Sequence, residues 1–238
     1  MEWISDEPFS TTYKDLYFSK NQAIEEADFV YIQGNNLTSR WKRLKKSEDF
    51  NILELGFGAG INFLTTLREW NKNSKAHNWL NYLSIENNPL SLADFKKIHE
   101  KYSELDSFSK KMMDNFPLNC QGSQRIEFLK ERVSLTIYFG EVCQCLQDLE
   151  PKVFNLDACF HDGFSPDRNI KMWSSRVFKS LANLSYRGST YSTFSAAKII
   201  KERLIENDFK IETVKGFGDK RHMLRAEFKS SILKRKRN

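Results

Sequence analysis

Residues 51–63, Asn-Ile-Leu-Glu-Leu-Gly-Phe-Gly-Ala-Gly-Ile-Asn-Phe, constrain this chain more than any other stretch. Ile52, Leu53 and Leu55 read as a buried strand. Gly56, Gly58 and Gly60 follow at intervals of two, and Ile61, Phe63, Leu64 and Leu67 then recur at helical spacing. Strand, glycine turn and helix let backbone approach a ligand closely, because residues without a Cβ leave room and tolerate positive φ. A dinucleotide fingerprint, Gly-x-Gly-x-x-Gly, needs its last glycine where this chain has Ile61. Glu54 sets a carboxylate at the mouth of the turn, which repels a pyrophosphate and attracts a cationic amino group. The pattern therefore reads as a site for S-adenosylmethionine and not for NAD. Asn62, in the first helical turn, joins Glu54 and the three glycines in the candidate cofactor set.

The same rhythm continues downstream. Strand-like runs sit near 51–55, 81–86, 133–138, 153–160, 189–194, 209–214 and 222–228. Helical patterns lie near 61–71, 89–102, 141–149, 170–184 and 196–207. Such alternation predicts a mostly parallel sheet of seven strands with helices on both faces. Gly216-Phe217-Gly218-Asp219 is too short for a crossover helix, so the last two strands pair antiparallel. This is an α/β, Rossmann-like architecture of the class I methyltransferase kind. Residues 1–45 show no helical period but many aromatics (among them Trp3, Tyr13, Tyr17 and Phe29), which predicts a hairpin-like extension covering a site. Residues 46–230 read as the main domain, with a helical and irregular insertion near 103–132 broken by Pro117 and Gly122, and 231–238 as a basic tail.

Composition narrows the function. The 238 residues, 40% hydrophobic and 13% aromatic, suffice for one well-buried domain. No apolar run reaches the roughly eighteen residues of a membrane span. The N-terminus lacks the basic-then-apolar pattern of a secretory signal, so a cytoplasmic protein without a membrane partner is expected. Cys120, Cys143, Cys145 and Cys159 form no Cys-x-x-Cys pair and the four histidines are scattered, so no metal site is expected. The net charge of +6 gathers in clusters at Lys42–Lys46, Lys215–Arg225 and Lys234–Arg237, which suit a phosphate backbone.

Four further places carry chemistry. Glu86 ends the second strand run, where an acid accepts both ribose hydroxyls of a nucleotide. Gly140-Glu141 ends the third, where an acid meets the adenine amine. The fourth ends in His161-Asp162-Gly163-Phe164-Ser165-Pro166. There the Asp162 carboxylate can orient an amine nucleophile and accept its proton, an aromatic can stack on a base, and Pro166 stiffens the loop. His161 points to the opposite face of its strand and stays outside the catalytic set. Finally, Phe217 between the cations Lys215, Lys220 and Arg221 combines a stacking face with phosphate contacts, as RNA requires.

Several segments together resemble one family, the methyltransferase domain of the bifunctional tRNA 5-methylaminomethyl-2-thiouridine biosynthesis protein, here as a stand-alone enzyme. They are Asp6-Glu7-Pro8, Asp15-Leu16-Tyr17-Phe18-Ser19, Gly34-Asn35-Asn36-Leu37, Leu55 to Leu64, Ile85-Glu86, Phe139-Gly140, Asp162 to Pro166 with Met172-Trp173, Thr193-Phe194-Ser195, and Gly216-Phe217-Gly218 with Lys220-Arg221. The resemblance implies S-adenosylmethionine-dependent methylation of 5-aminomethyl-(2-thio)uridine at the tRNA wobble position, with the anticodon stem-loop as partner. It implies Asp162 at the amine and Phe164 against the modified base. With no second glycine fingerprint, no FAD is expected. Glu141 stands where the family more often has Asp, and Asp219 interrupts a hairpin that is usually more basic. Two rival readings share the fold: a small-molecule amine methyltransferase, and a non-catalytic RNA-binding module.

Overall fold

The computed structural model describes residues 1–18, 22–75, 77–115, 120–149 and 154–231. Ser19, Pro117 and the Lys234–Arg237 cluster of the basic tail lie outside the described residues. The chain begins with three short strands, β1 (Glu2–Ile4), β2 (Glu7–Ser10) and β3 (Asp15–Leu16), which form an antiparallel sheet. Helix α1 (Ala23–Ala27) runs without a break into a π-helical segment, Asp28–Gln33, and α2 (Leu37–Lys42) follows. The expected hairpin-like extension is present as this small sheet, and the helices that follow it within residues 1–45 are an addition that the missing helical period did not announce. Each helix is short, and the wide π turn shifts the apolar face, so Ile24, Ala27, Val30, Tyr31 and Ile32 are buried without a regular period.

The main sheet starts with β4 (Phe50–Leu55), followed by α3 (Ile61–Asn73), β5 (Leu80–Glu86), α4 (Leu92–His99) and, after a 3₁₀ turn, α5 (Asp106–Asp114). Next come β6 (Gly122–Phe128), β7 (Val133–Phe139), α6 (Val142–Asp148), β8 (Leu156–His161), α7 (Ser175–Leu184), β9 (Ser185–Thr193), α8 (Lys198–Glu206), β10 (Phe209–Lys215) and β11 (His222–Phe228). The order is β10-β11-β9-β8-β4-β5-β7-β6, with β6 and β11 antiparallel to their neighbours. Among the described residues the sheet therefore has eight strands where seven were expected. The extra one, β6, falls in the stretch read as an irregular insertion. It is an edge strand on which only Ile126 and Phe128 are buried, so it lacks the continuous apolar run of an inner strand.

Both faces are covered. Phe50 and Ile52 of β4 face the side packed by the N-terminal helices, α3, α4 and α5, whereas Leu53 and Leu55 face the side packed by α6, α7 and α8. A parallel strand covered on both faces is buried along its whole length, as β4 and β8 are. The same alternation separates Phe160 from His161. His161 lies opposite the first helical layer, stacked on Trp173 at 4.0 Å and hydrogen-bonded to the Met172 carbonyl and the Tyr191 hydroxyl. Burial pushes its pKa down to about 3, so it is a neutral core residue. The N-terminal sheet is held on α4 by a Trp3–Asp94 hydrogen bond of 3.0 Å, by Lys97 over the Trp3 ring and by an Asp6–Lys101 ion pair.

Phe63, on α3, packs against Tyr82 and Phe128 at the centre of one layer. We expect Phe63→Ala to cost about 3–5 kcal/mol, seen as a lower denaturant midpoint at unchanged slope. Ile170→Ala, at a side chain 73% exposed, should stay within about 0.5 kcal/mol.

Candidate active site

A cleft of about 380 Å³ opens at the carboxyl ends of the parallel strands, where the strand order reverses between β4 and β8. Its floor is the turn after β4. Gly56 has φ +98°, and a Cβ there would lie 1.8 Å from the Asp162 carbonyl oxygen, so only glycine fits. Gly60, the N-cap of α3, has φ +71° and is crowded by the Phe57 ring. Glu86 closes one side. Its Oε2 accepts from the Gly58 amide at 2.8 Å and its Oε1 from the Asn88 amide at 2.6 Å. Burial pushes the Glu86 pKa up while these amides, with those of Phe57 and Asn87, pull it back. Gly140 and Glu141 line the same side. One Glu141 oxygen, Oε2, caps α6 by accepting from the Cys143 and Gln144 amides, which leaves the other oxygen for a cleft contact.

Two placements differ from the sequence reading. Glu54 was expected at the mouth of the turn, facing the cofactor's amino group. It is instead fully buried beneath α3 and does not line the cleft. The reason is strand geometry: Glu54 shares a face with Phe50 and Ile52, toward α3, and residues of that face are roofed by the helix. Its Oε2 accepts from the Ser84 hydroxyl at 2.7 Å and its Oε1 from Asn62 Nδ2 at 3.0 Å. Burial holds its pKa well above the usual carboxylate range. Asn62, read as a cofactor contact, spends its amide on two acids, since the same Nδ2 donates to Asp162 Oδ2 at 2.6 Å. It remains on the cleft wall and orients Asp162.

Asp162 stands at the end of β8, directly beside the glycine turn. Burial pushes its carboxyl up to about 6, against the favourable donors Asn62 and Tyr31, while Glu26 raises it and Lys220 lowers it. The Tyr31 hydroxyl is near enough to favour the ionised form without completing a well-formed hydrogen bond. Two residues on, Phe164 stacks on Tyr13 at 4.5 Å and meets Tyr17 edge-on at 5.2 Å, so the N-terminal segment does cover the site. Trp173 Nε1 donates to the Phe164 carbonyl at 2.8 Å and fixes this loop.

Of the residues expected to bind substrate, Phe164 and Lys220 line the cleft; Pro166, Phe217 and Arg221 do not. Phe217 packs on Phe29 at 5.8 Å, which anchors the hairpin, and Arg221 is exposed. The Lys220 ammonium lies 2.6 Å from Glu26 Oε1 and over the Phe194 ring. Glu26, Tyr31 and Phe194 also line the cleft and were missed as site residues. Glu26 sits on a five-residue helix with no motif around it, so the local sequence offered nothing to find it by.

A family described as S-adenosyl-L-methionine-dependent methyltransferase matches residues 103–229, more than half of the chain. The chain belongs to this family. The methyltransferase is 34% identical over its whole length to a tRNA 5-methylaminomethyl-2-thiouridine biosynthesis bifunctional protein MnmC of Legionella pneumophila, of which it spans 38%. It is 38% identical over 91% of its length to the protein of that name from Hahella chejuensis, of which it spans 34%. The chain thus spans little more than a third of these relatives. Its fold matches the crystal structure of MnmC2 from Aquifex aeolicus with a TM-score of 0.73 at 22% identity, covering 96% of this chain and 68% of the other. The cleft fits the donor: a glycine floor that a Cβ would fill, and a Glu86 carboxylate on the cleft wall held by backbone amides.

The raised Asp162 pKa makes a stability prediction. The folded state holds this proton more tightly than the unfolded chain, whose value is 3.8, so stability is lost as pH rises from about 4 through 6. Asp162→Asn removes the penalty and keeps an acceptor for Asn62. It should stabilise the protein by up to about 3 kcal/mol at pH 7.5, with the gain shrinking toward pH 4, in parallel denaturant titrations.

Proposed function

We propose that this methyltransferase modifies the exocyclic primary amine of 5-aminomethyl-(2-thio)uridine at the wobble position of tRNA, engaging the anticodon stem-loop. The observation that carries the reading is Asp162: a carboxylate on the cleft wall beside the glycine turn, oriented by Asn62, with an aromatic face two residues away at Phe164. The names of the bifunctional relatives, which match across nearly all of this chain, support the substrate class.

S-adenosylmethionine, when bound, supplies an electrophilic methyl group on a sulfonium. Glu86 would take its ribose hydroxyls, Glu141 its adenine amine, and the backbone of Gly56, Gly58 and Gly60 allows its close approach. An alkylamine is mostly protonated at neutral pH and must lose a proton before it can attack. Asp162 accepts a hydrogen bond from the ammonium, helps to remove the proton and holds the nitrogen lone pair toward the donor side of the cleft. A carboxylate with a raised pKa is a stronger base than an ordinary one, which suits this task. Positioning supplies the larger share of the acceleration, up to roughly 7–11 kcal/mol for well-aligned partners, against about 10²–10⁴-fold for a general base. Phe164 offers a stacking face to the extruded base, and Tyr13 must shift or sandwich it.

The decisive assay is methyl transfer to tRNA that carries the unmethylated aminomethyl group. Asp162→Ala should lower kcat by about 10²-fold or more while donor affinity by calorimetry stays unchanged. Glu86→Ala should do the reverse, weakening the donor by about tenfold or more. The wild-type kcat/KM should fall on the acid side of about pH 6 as Asp162 takes up a proton. Transfer by Asp162→Ala at the wild-type rate would remove Asp162 from the chemistry.

A further inference from the structure

The strand order divides the cleft in two. Glu86, Gly140 and Glu141, from the ends of β5 and β7, close the side assigned above to the donor. Phe194, at the end of β9, Lys220, from the β10–β11 hairpin, and Glu26, from α1, close the opposite side. Asp162, at the end of β8, stands between them. On the second side the Lys220 ammonium and the Glu26 carboxylate lie 2.6 Å apart, with side chains 42% and 12% exposed. Phe194 supports the ammonium at 4.6 Å from its ring centre. An ion pair with one solvent-exposed partner contributes little to stability, and drawing a long lysine inward sacrifices side-chain freedom. What the pair does provide is a donor and an acceptor side by side on the cleft wall. Both are close enough to Asp162 to influence its carboxylate.

We propose that Glu26 and Lys220 together read the pyrimidine edge of the acceptor base and make the enzyme selective for uracil. The inference rests on the reading of the acceptor as an aminomethylated pyrimidine and adds how its base is chosen. The amine-bearing carbon is attached at C5, the ring neighbour of C4, and C4 adjoins N3. Once Asp162 holds the amine, the group on C4 and the group on N3 are therefore the next two polar positions along the ring. Uracil presents an acceptor carbonyl and then an N–H donor. The pair answers with the Lys220 ammonium as donor and the Glu26 carboxylate as acceptor. Cytosine reverses both: its exocyclic amino group faces the ammonium, and its unprotonated N3 faces the carboxylate. Each charged group would then be desolvated against a like end, which is how a polar pocket rejects the wrong substrate far more strongly than an apolar one. Reading a flipped base by its hydrogen-bonding edge, with an aromatic face beside it, is the general solution for enzymes that act on a single base.

The test uses synthetic anticodon stem-loops carrying 5-aminomethyluridine or 5-aminomethylcytidine at the wobble position, with kcat/KM for methyl transfer measured on each. The wild type should prefer the uridine stem-loop by about 10²-fold or more. In Glu26→Gln the amide presents a donor and an acceptor and can turn to meet either base, so the preference should shrink to within about tenfold. Lys220→Met should lower kcat/KM on the uridine stem-loop by about tenfold or more while calorimetric donor affinity is unchanged. The two variants probe separate halves of the pair, so a folding failure in one leaves the other to decide. Equal losses on both stem-loops, or full retention of the uridine preference in both variants, would reduce the pair to a strut and overturn the proposal. A wild type that binds the donor yet methylates neither stem-loop would overturn the acceptor reading itself, and this inference with it.

Discussion

At the point where β4 and β8 end side by side, two backbone segments touch. The Asp162 amide donates to the Leu55 carbonyl at 3.0 Å, the Gly56 amide donates to Ile85 at 2.9 Å, and the Asp162 carbonyl sits where a side chain of residue 56 would begin. The site follows from this contact. Because parallel neighbours are fixed in register by their ladder, the glycine loop and the loop that carries Asp162 cannot drift apart. The aspartate proposed to meet an amine beside a sulfonium is thereby placed by main chain, the stiffest part of the molecule.

A second layer of polar contacts refines that placement. Asn62 belongs to the helix that leaves the glycine turn, yet its amide serves Glu54 below and Asp162 beside it. Ser84, one strand over, occupies the other Glu54 oxygen. Burying two acids this close to one another opposes folding, and the raised pKa of both expresses that opposition. The compensation is a carboxylate held at one angle with a raised proton affinity, which an exposed aspartate would lack. Preorganisation of this kind is built before any ligand arrives.

The N-terminal region links fold and site in a different way. It is clamped to α4 through Trp3 and Asp6, while Tyr13 and Tyr17 reach over the cleft to Phe164. Asn88 donates to the Tyr13 hydroxyl at 2.9 Å and also donates its backbone amide to Glu86, so the cover is joined to the Glu86 rim of the cleft as well. α1 and the π-helical segment contribute Glu26 and Tyr31 to the cleft wall. A segment that reads as a mere cover thus builds part of the wall.

The sequence by itself determined the glycine turn, the alternation of strand and helix, the closing antiparallel hairpin and the chemistry-bearing ends of β5, β7 and β8. All of these are local: apolar runs, glycine spacing and a residue's place at the end of a strand are written in a few consecutive positions. Tertiary structure alone decided that Glu54 is buried under α3, that Asn62 joins two acids, that Lys220 turns inward to Glu26, and that Phe217 and Pro166 do not line the cleft. It also decided that Gly122–Phe128 completes the sheet as an eighth strand. Each of these depends on residues distant in the chain, such as Glu26 and Lys220 or Asn62 and Asp162. A side chain's facing and its partner come from what packs beside it, and periodicity along one segment carries no record of that.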